Sequence, residues 1–353
     1  MANMKNLINL FFDLVKIDSP SGKEEAMSIY LQKWLKKNLF NYKIDKVGNL
    51  YATNNKSGVP LLICAHMDTV QPGENIKPVI KKGVIKSDGK TILGADNKAA
   101  LATIMAAVEE NGDRNLELLF TVKEETGGGV EHLPFEWIKS KHALVFDSSK
   151  PLGGIVMRSP FIYNFDVQFK GKSTHASTPE MGINAFTPAF QALSSLPVGT
   201  LDNEETTINI GLIKGGTGIN TVPDSIHIQG EVRSYDKILF ETHLKTIKKT
   251  VKKYAKKYKT DATFTLNGYC AGYSHTKNTA FIKQIDAMYK NIGLKTMFYK
   301  YSGISDTNVL MEHGIETVNL TDGTKYSHTT NEEIAINDLI KLGEIVKKCI
   351  AEL

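Results

Sequence analysis

Six residues of this 353-residue chain combine a metal-holding type with a telling position: His66, Asp96, Glu124, Glu125, Asp147 and His328. They are scattered along the chain, just after short apolar runs that end in turn signals. Leu61-Leu62-Ile63-Cys64-Ala65 leads into His66-Met67-Asp68-Thr69. Leu116 to Val122 leads through Lys123 into Glu124-Glu125-Thr126-Gly127-Gly128-Gly129. Ala143-Leu144-Val145-Phe146 leads into Asp147, and Ile315 to Leu320 into the loop that reaches His328. Imidazole nitrogen and carboxylate oxygen are the donors of catalytic zinc-like ions. The chemistry expected is metal-dependent hydrolysis.

Apolar runs of this kind, alternating with helical segments, predict a mostly parallel sheet. Such sheets bind ligands outside the carboxyl ends of their strands, so distant residues can share one crevice. Residues 1–157 carry this alternation. Leu7, Leu10, Phe11 and Leu14 recur at helical spacing, and Ser21-Gly22-Lys23-Glu24 predicts a capping box opening a helix through Ile29, Trp34 and Leu35. Asp96 is expected at the entry of a helix carried by Ala99-Ala100-Leu101 and Ile104-Met105, where the helix dipole favours a carboxylate. Glu124 and Glu125, if on an extended strand end, face opposite ways. One can then bind metal while its neighbour takes a proton from water.

Residues 158–268 change character. Strand patterns at 163–169, 206–213, 225–232 and 262–266 and helix patterns at 185–196 and 238–258 give the order β-α-β-β-α-β. That is the ferredoxin-like split βαβ pattern, expected as a lid or dimerisation domain inserted into the first. Residues 269–353 resume the α/β pattern and end in a helix through Leu339, Ile340 and Val346.

Hydrophobic content of 41% and charged content of 23% are ordinary for a soluble globular enzyme. The net charge of +5 is spread along the chain, and nucleic acid is not an expected partner. The lysines between 245 and 257 alternate with a stripe of Leu244, Ile247, Val251 and Tyr254, which reads as a solvated helix face. Asp13 interrupts the apolar N-terminal stretch, and no run is long enough to span a membrane, so neither a signal peptide nor a membrane partner is expected. Three cysteines without metal or CxxC spacing suggest reduced thiols and a cytoplasmic location. Gly215-Gly216-Thr217-Gly218 is not a P-loop, because no Gly-Lys-Ser/Thr follows. His132, His142, His227, His243, His275 and His313 match no motif and are expected to be structural.

The motifs His66-Met67-Asp68-Thr69, Gly94-Ala95-Asp96-Asn97-Lys98, Glu124-Glu125-x-Gly127 and Gly171-x-x-x-His175-Ala176-Ser177 resemble the two-metal aminoacylase/carboxypeptidase/tripeptidase family. So do Asn220-x-Val222-Pro223-Asp224, Glu231-x-Arg233, Ser305-Asp306-x-Asn308 and His328-Thr329, in that order along the chain. Within the family, the chain is most similar to the peptidase T branch of tripeptide aminopeptidases.

The resemblance implies one divalent metal on His66 and Asp147, a second on Glu125 and His328, and Asp96 bridging both. The pair is expected to be zinc, with cobalt or manganese as alternatives. Two ions about 3.5–4 Å apart need such a shared carboxylate and can activate one water between them. Asp68 suits a carboxylate that fixes the His66 tautomer. By resemblance, Glu124 is the general base and His175 donates to the oxyanion, while Asn220, Arg233 and Gly303 meet the substrate. An Arg fork matches a carboxylate on two prongs, although a surface ion pair is the simpler use of Arg233. In dimeric relatives the equivalent of His175 reaches the partner's site. A homodimer through the inserted domain is left open here, as is action of His175 in cis or in trans. Two positions depart from the family: Ile304 follows Gly303 where a second glycine is common, and Lys123 stands where this branch often has Asp.

The expected function is two-metal hydrolysis of amide bonds that releases the N-terminal residue from short peptides, above all tripeptides. A deacylase or carboxypeptidase acting on N-acyl amino acids or dipeptides is the alternative on the same site. A catalytically inactive metal- or peptide-binding protein is the alternative of another class, and it would need neither Glu124 nor His175.

Overall fold

The computed structural model describes residues 2–111 and 113–353. The chain divides into two compact units, one of residues 1–157, 275–301 and 305–353, the other of residues 158–274 and 302–304. It is a mixed α/β protein with a mostly parallel central sheet.

At the centre of the first unit, four parallel strands lie in the order Leu116–Thr121, Leu61–His66, His142–Phe146 and Glu316–Leu320. Leu50–Thr53 and Asn41–Ile44 extend the sheet antiparallel beyond the first of these. Leu61–His66 is buried throughout, and its period-two alternation feeds two cores. Leu61, Ile63 and Ala65 join Phe11, Leu14, Leu101, Ile104 and Leu342 on one face. Leu62 and Cys64 join Leu119, Val145, Leu133 and Leu310 on the other. Because the four strands are parallel, their carboxyl ends lie on one edge, and the loops after Thr121, His66, Phe146 and Leu320 all start there.

One local expectation is corrected and a second is refined. The helix Glu25–Lys37 has no side-chain cap. The Ser21 hydroxyl donates instead to the Asp68 carboxylate at 2.6 Å, and Glu24 accepts from the N–H groups of Gly22 and Lys123. Long-range partners outbid the local capping box. The helix Ala95–Glu110 is also broken at its start, where Asp96 (φ −79°, ψ 103°) and Asn97 leave helical geometry. Asp96 stands in the first turn, as expected, but with its own backbone outside helical geometry.

The second unit is an antiparallel sheet in the order Gly199–Leu201, Thr206–Gly215, Ser225–Ser234, Phe161–Lys170 and Asp261–Cys270. The helices Phe186–Ser194 and Lys237–Lys257 pack into one core with Phe165, Val167, Phe169, Ile226 and Ile228. This is the ferredoxin-like arrangement with one short edge strand, Gly199–Leu201, added. The lysines of the long helix are exposed while Leu244, Ile247 and Val251 are buried. Among the described residues, no helix is long and apolar enough to cross a membrane.

Candidate metal centre

His66 is the last residue of its strand, and its ring is buried. Its Nδ1 lies 3.0 Å from the backbone oxygen of Asp68 and 3.3 Å from Asp68 Oδ1. With the Nδ1 proton held there, Nε2 is the atom left to bind, and it lies 3.1 Å from Asp96 Oδ1. The other oxygen of Asp96 lies 3.4 Å from His328 Nε2, and Glu125 Oε1 is 2.9 Å from the same nitrogen. The break at Asp96 allows this carboxylate to stand between two histidines from opposite ends of the chain.

Among the described residues, three triads can each bring ligand atoms within 4.8 Å of one another: His66, Asp96 and Asp147; Asp96, Glu125 and His328; and His66, Glu124 and Glu125. The first two share Asp96. The six residues singled out from the sequence thus form one continuous cluster.

The electrostatics of the cluster suit cations. Burial and the neighbouring Asp147 charge push Glu124 well above the usual carboxylate range, and burial and Asp96 do the same to Asp147. Burial opposes a charge on His66, but Asp68 and Asp96 outweigh it and raise its pKa well above the usual value. His328 is raised to about 10 by its hydrogen bonds to Asp96 and Glu125. Four carboxylates in one pocket repel one another, and divalent cations relieve that repulsion while using imidazole nitrogens as ligands. The donor set, nitrogen and oxygen without sulfur, fits zinc-type metals.

Glu124 and Glu125 do not sit on an extended strand end, as expected from sequence. Lys123 is left-handed (φ 54°) and Glu124–Thr126 forms a 3-10 turn. Gly129 permits the chain's close return after this turn, because a Cβ there would lie 1.7 Å from the Val122 oxygen. The turn is held by Asp68, whose carboxylate accepts from the N–H groups of Glu124 and Glu125 at 3.1 and 3.2 Å.

Sequence reasoning missed three supporting residues. Asn319 grips Asp147 through both its backbone N–H and its carbonyl, at 3.0 and 2.9 Å. Glu332 accepts from the N–H groups of Gly94 and Asp96. Asp306, quoted in a motif but given no role, is buried and accepts from the Thr121 hydroxyl and the Cys64 thiol at 2.5 and 3.5 Å. An acid four residues after His328 was the only available hint of Glu332.

The remaining predicted residues lie in the second unit. His175 is exposed, and its Nδ1 lies 2.7 Å from the Ser177 hydroxyl and 3.2 Å from the Ser177 N–H, which leaves Nε2 as the outward nitrogen. His175 bridges to Thr221, and the Ala176 N–H donates to the Asn220 oxygen, so the two predicted loops lie side by side. Arg233 donates to both oxygens of Glu231, at 2.5 and 2.8 Å, and to the Ser302 carbonyl at 2.8 Å. Gly303 accepts the Ser159 hydroxyl at 2.8 Å. Of the histidines expected to be structural, His142, His227, His243, His275 and His313 meet partners in their own surroundings.

Residues 162–259 match the peptidase dimerisation domain of the M20 group. The whole chain is 34% identical to the uncharacterized protein YqjE of Bacillus subtilis over 369 residues, covering 100% of this chain and 99% of that protein. The crystal structure of aminopeptidase PepT from Bacillus cereus superposes with a TM-score of 0.92 at 35% identity, covering 99% and 98% of the two chains. A tripeptidase from Staphylococcus aureus superposes equally well, with a TM-score of 0.92 at 32% identity over 98% and 97%. The chain belongs to the M20 family of metallopeptidases. Among M20 proteins it falls with the peptidase T-like members, and the cluster at the strand ends is the part of this M20 enzyme suited to its metal.

Proposed function

We propose that this M20 enzyme is a two-metal aminopeptidase that releases the N-terminal residue from short peptides, tripeptides above all. The observation that carries the reading is Asp96, whose two oxygens face His66 and His328 separately, at 3.1 and 3.4 Å. A carboxylate so placed suits a bridge, with His66 and Asp147 completing one site and Glu125 and His328 the other. Zinc fits the donors best, with cobalt or manganese as substitutes.

A bound metal pair supplies Lewis acidity, polarising the scissile carbonyl and acidifying the attacking water. Glu124, in the same triad as His66 and Glu125, takes the proton from that water and returns it to the leaving amine. Asp68 keeps Glu124 and Glu125 in their turn and His66 in one tautomer. His175 donates from Nε2 to the developing oxyanion. Arg233 and Asn220 take the substrate carboxylate, and Gly303 lies beside the peptide backbone. The match to a dimerisation domain supports a homodimer through the second unit. The three buried cysteines, none in a disulfide, support a cytoplasmic setting.

One screen tests the reading. Di- and tripeptides are compared with N-acyl amino acids as substrates of the purified protein, stripped with chelator and resupplied with zinc, cobalt or manganese. Tripeptides should lead, and activity should depend on added metal. Faster turnover of N-acyl amino acids would leave a deacylase or carboxypeptidase on the same site, and full activity without metal would overturn the metal mechanism.

A further inference from the structure

Glu332 is almost wholly buried, 1% exposed, and its carboxylate is spent on the backbone of another segment. Oε2 accepts from the Gly94 N–H at 2.7 Å and Oε1 from the Asp96 N–H at 2.9 Å. These are the orphan donors at the start of the helix Ala95–Glu110, which has left-handed Gly94 at its N-cap and no side-chain cap of its own. A residue 236 positions later in the chain supplies the cap.

The location of Glu332 gives the contact a second consequence. It stands four residues after His328, in a segment tied up by its own hydrogen bonds. The Glu332 N–H donates to the Thr329 carbonyl at 3.0 Å, and the Thr329 hydroxyl to the Tyr326 carbonyl at 2.7 Å. Lys325 and Glu333 bridge the base of the loop in both directions, and His328 itself is held at a φ of 65°. A rigid loop thus carries His328 at its tip and Glu332 at its base. The same loop reaches the Asp96 carboxylate through His328 and the Asp96 backbone through Glu332.

We propose that Glu332 is a positioning residue for the metal pair: by pinning the Gly94–Asp96 backbone to the His328 loop, it fixes the distance between the bridging carboxylate and His328. A local N-cap would satisfy the same N–H groups without joining the two ligand-bearing segments. The proposal rests on the reading of Asp96 as the bridge.

Cobalt binding to the full-length protein tests it, because the visible spectrum of Co²⁺ reports ligand geometry whether or not the enzyme turns over. Chelator-stripped wild type, Glu332→Gln and Glu332→Ala are titrated with Co²⁺, alongside Asp236→Ala. Asp236 caps the helix Lys237–Lys257 through the N–H groups of Ile238 and Leu239, far from any ligand in sequence. Loss of a residue that orients a ligand typically costs about 10- to 100-fold in metal affinity. Glu332→Gln, which keeps the shape but only one acceptor, should lose affinity on that scale and show an altered cobalt spectrum while remaining folded. Asp236→Ala should lose stability and keep wild-type cobalt binding. Unchanged cobalt affinity and spectrum in Glu332→Gln would overturn the proposal. So would an equal loss in Asp236→Ala, or a Glu332→Gln chain that cannot fold even with metal, since either makes Glu332 a residue of general stability. Wild type that binds no cobalt would overturn the reading of Asp96 first, and the proposal with it.

Discussion

The Asp68 carboxylate accepts the backbone N–H of Glu124 at 3.1 Å while lying 3.3 Å from Nδ1 of His66. One buried acid thereby contacts both the His66 ring at one strand end and the Glu124 turn after the next. Ser21 donates to it as well, at 2.6 Å, and these contacts outweigh its burial, so its pKa lies below the ordinary value. Asp68→Ala should therefore do more than free a histidine ring. Metal affinity should fall about 10- to 100-fold, and the rate at saturating metal should remain depressed because the Glu124 turn is loosened. Calorimetric metal titration together with kcat at excess metal checks both halves. Full recovery of kcat with added metal would confine Asp68 to His66.

Glu124→Gln separates base from ligand. The amide cannot accept the proton, so turnover should fall about 100- to 10,000-fold, the usual cost of losing a general base, with metal content unchanged. Asp96→Ala should instead lose metal, because it removes the carboxylate facing both histidines. Metal analysis of each purified variant beside its kcat distinguishes the two. Near-normal turnover in Glu124→Gln would require another base.

Much of this cluster was legible because its members share a physical signal. His66 and Asp147 each follow directly on a fully apolar run, and Glu125 follows the buried strand Leu116–Thr121 after a short turn; a buried parallel strand must end where its chain turns polar. Asp306 and Asn319 were not legible as supports, because a buried acid and an amide within apolar patterns look alike whether they grip a ligand or fill a core. Glu332 was hidden for a related reason: its partners are backbone N–H groups, which no side-chain motif advertises. The capping box at Ser21 to Glu24 shows the reverse error, where a sound local rule lost to Asp68 and to the Lys123 N–H. The β-α-β-β-α-β order was readable because each element of the second unit buries one face only.

Metal removal should leave the protein with an inverted pH response. Burial raises Asp306 to about 6, and burial with the Asp96 charge raises Asp322 to about 7. Unfolded, these acids titrate near ~4, so between about pH 4 and 7 the native state holds more protons than the unfolded chain. Stability then falls as pH rises through that window. His328, raised to about 10, acts in the same direction: its contribution is complete below ~6.5 and lost as pH rises through its folded value. The stripped protein should melt at a lower temperature at pH 8 than at pH 5.5. Metal-loaded protein should do the opposite, because ligation requires deprotonated ligands. Thermal melts followed by circular dichroism decide this, and a stripped protein that gains stability between pH 5.5 and 8 would refute it.

His175→Ala should lower kcat far more than it raises KM. With Nδ1 engaged by Ser177, Nε2 is the ring nitrogen available to substrate. A donor that engages only the developing oxyanion is worth about 3–4 kcal/mol in the transition state and little in the ground state. Steady-state kinetics on one tripeptide is sufficient. A raised KM at unchanged kcat would assign His175 to substrate binding.

The substrate itself is read by its two ends. Arg233 holds Glu231 on two prongs and reaches the Ser302 carbonyl with a third nitrogen, so its guanidinium plane is fixed before any peptide arrives. Glu231 holds the Nε and Nη2 edge of the guanidinium, so a terminal carboxylate would meet the outer Nη N–H groups, and a lysine ammonium cannot reproduce that arrangement. C-terminal amidation of a tripeptide should therefore impair cleavage by the wild type, and Arg233→Lys should shrink the difference between acid and amide, mainly through KM. At the other end, an aminopeptidase must pair the substrate ammonium, and a buried acid left unpaired by an acetylated substrate is costly. N-acetylation should strongly reduce the rate, with free tripeptides cut after their first residue. Chromatography of the products from free, acetylated and amidated forms of one tripeptide reads both ends at once. Equal or faster cleavage of the acetylated form would move this M20 enzyme to the deacylase or carboxypeptidase reading, with the metal centre and Glu124 unchanged in their roles.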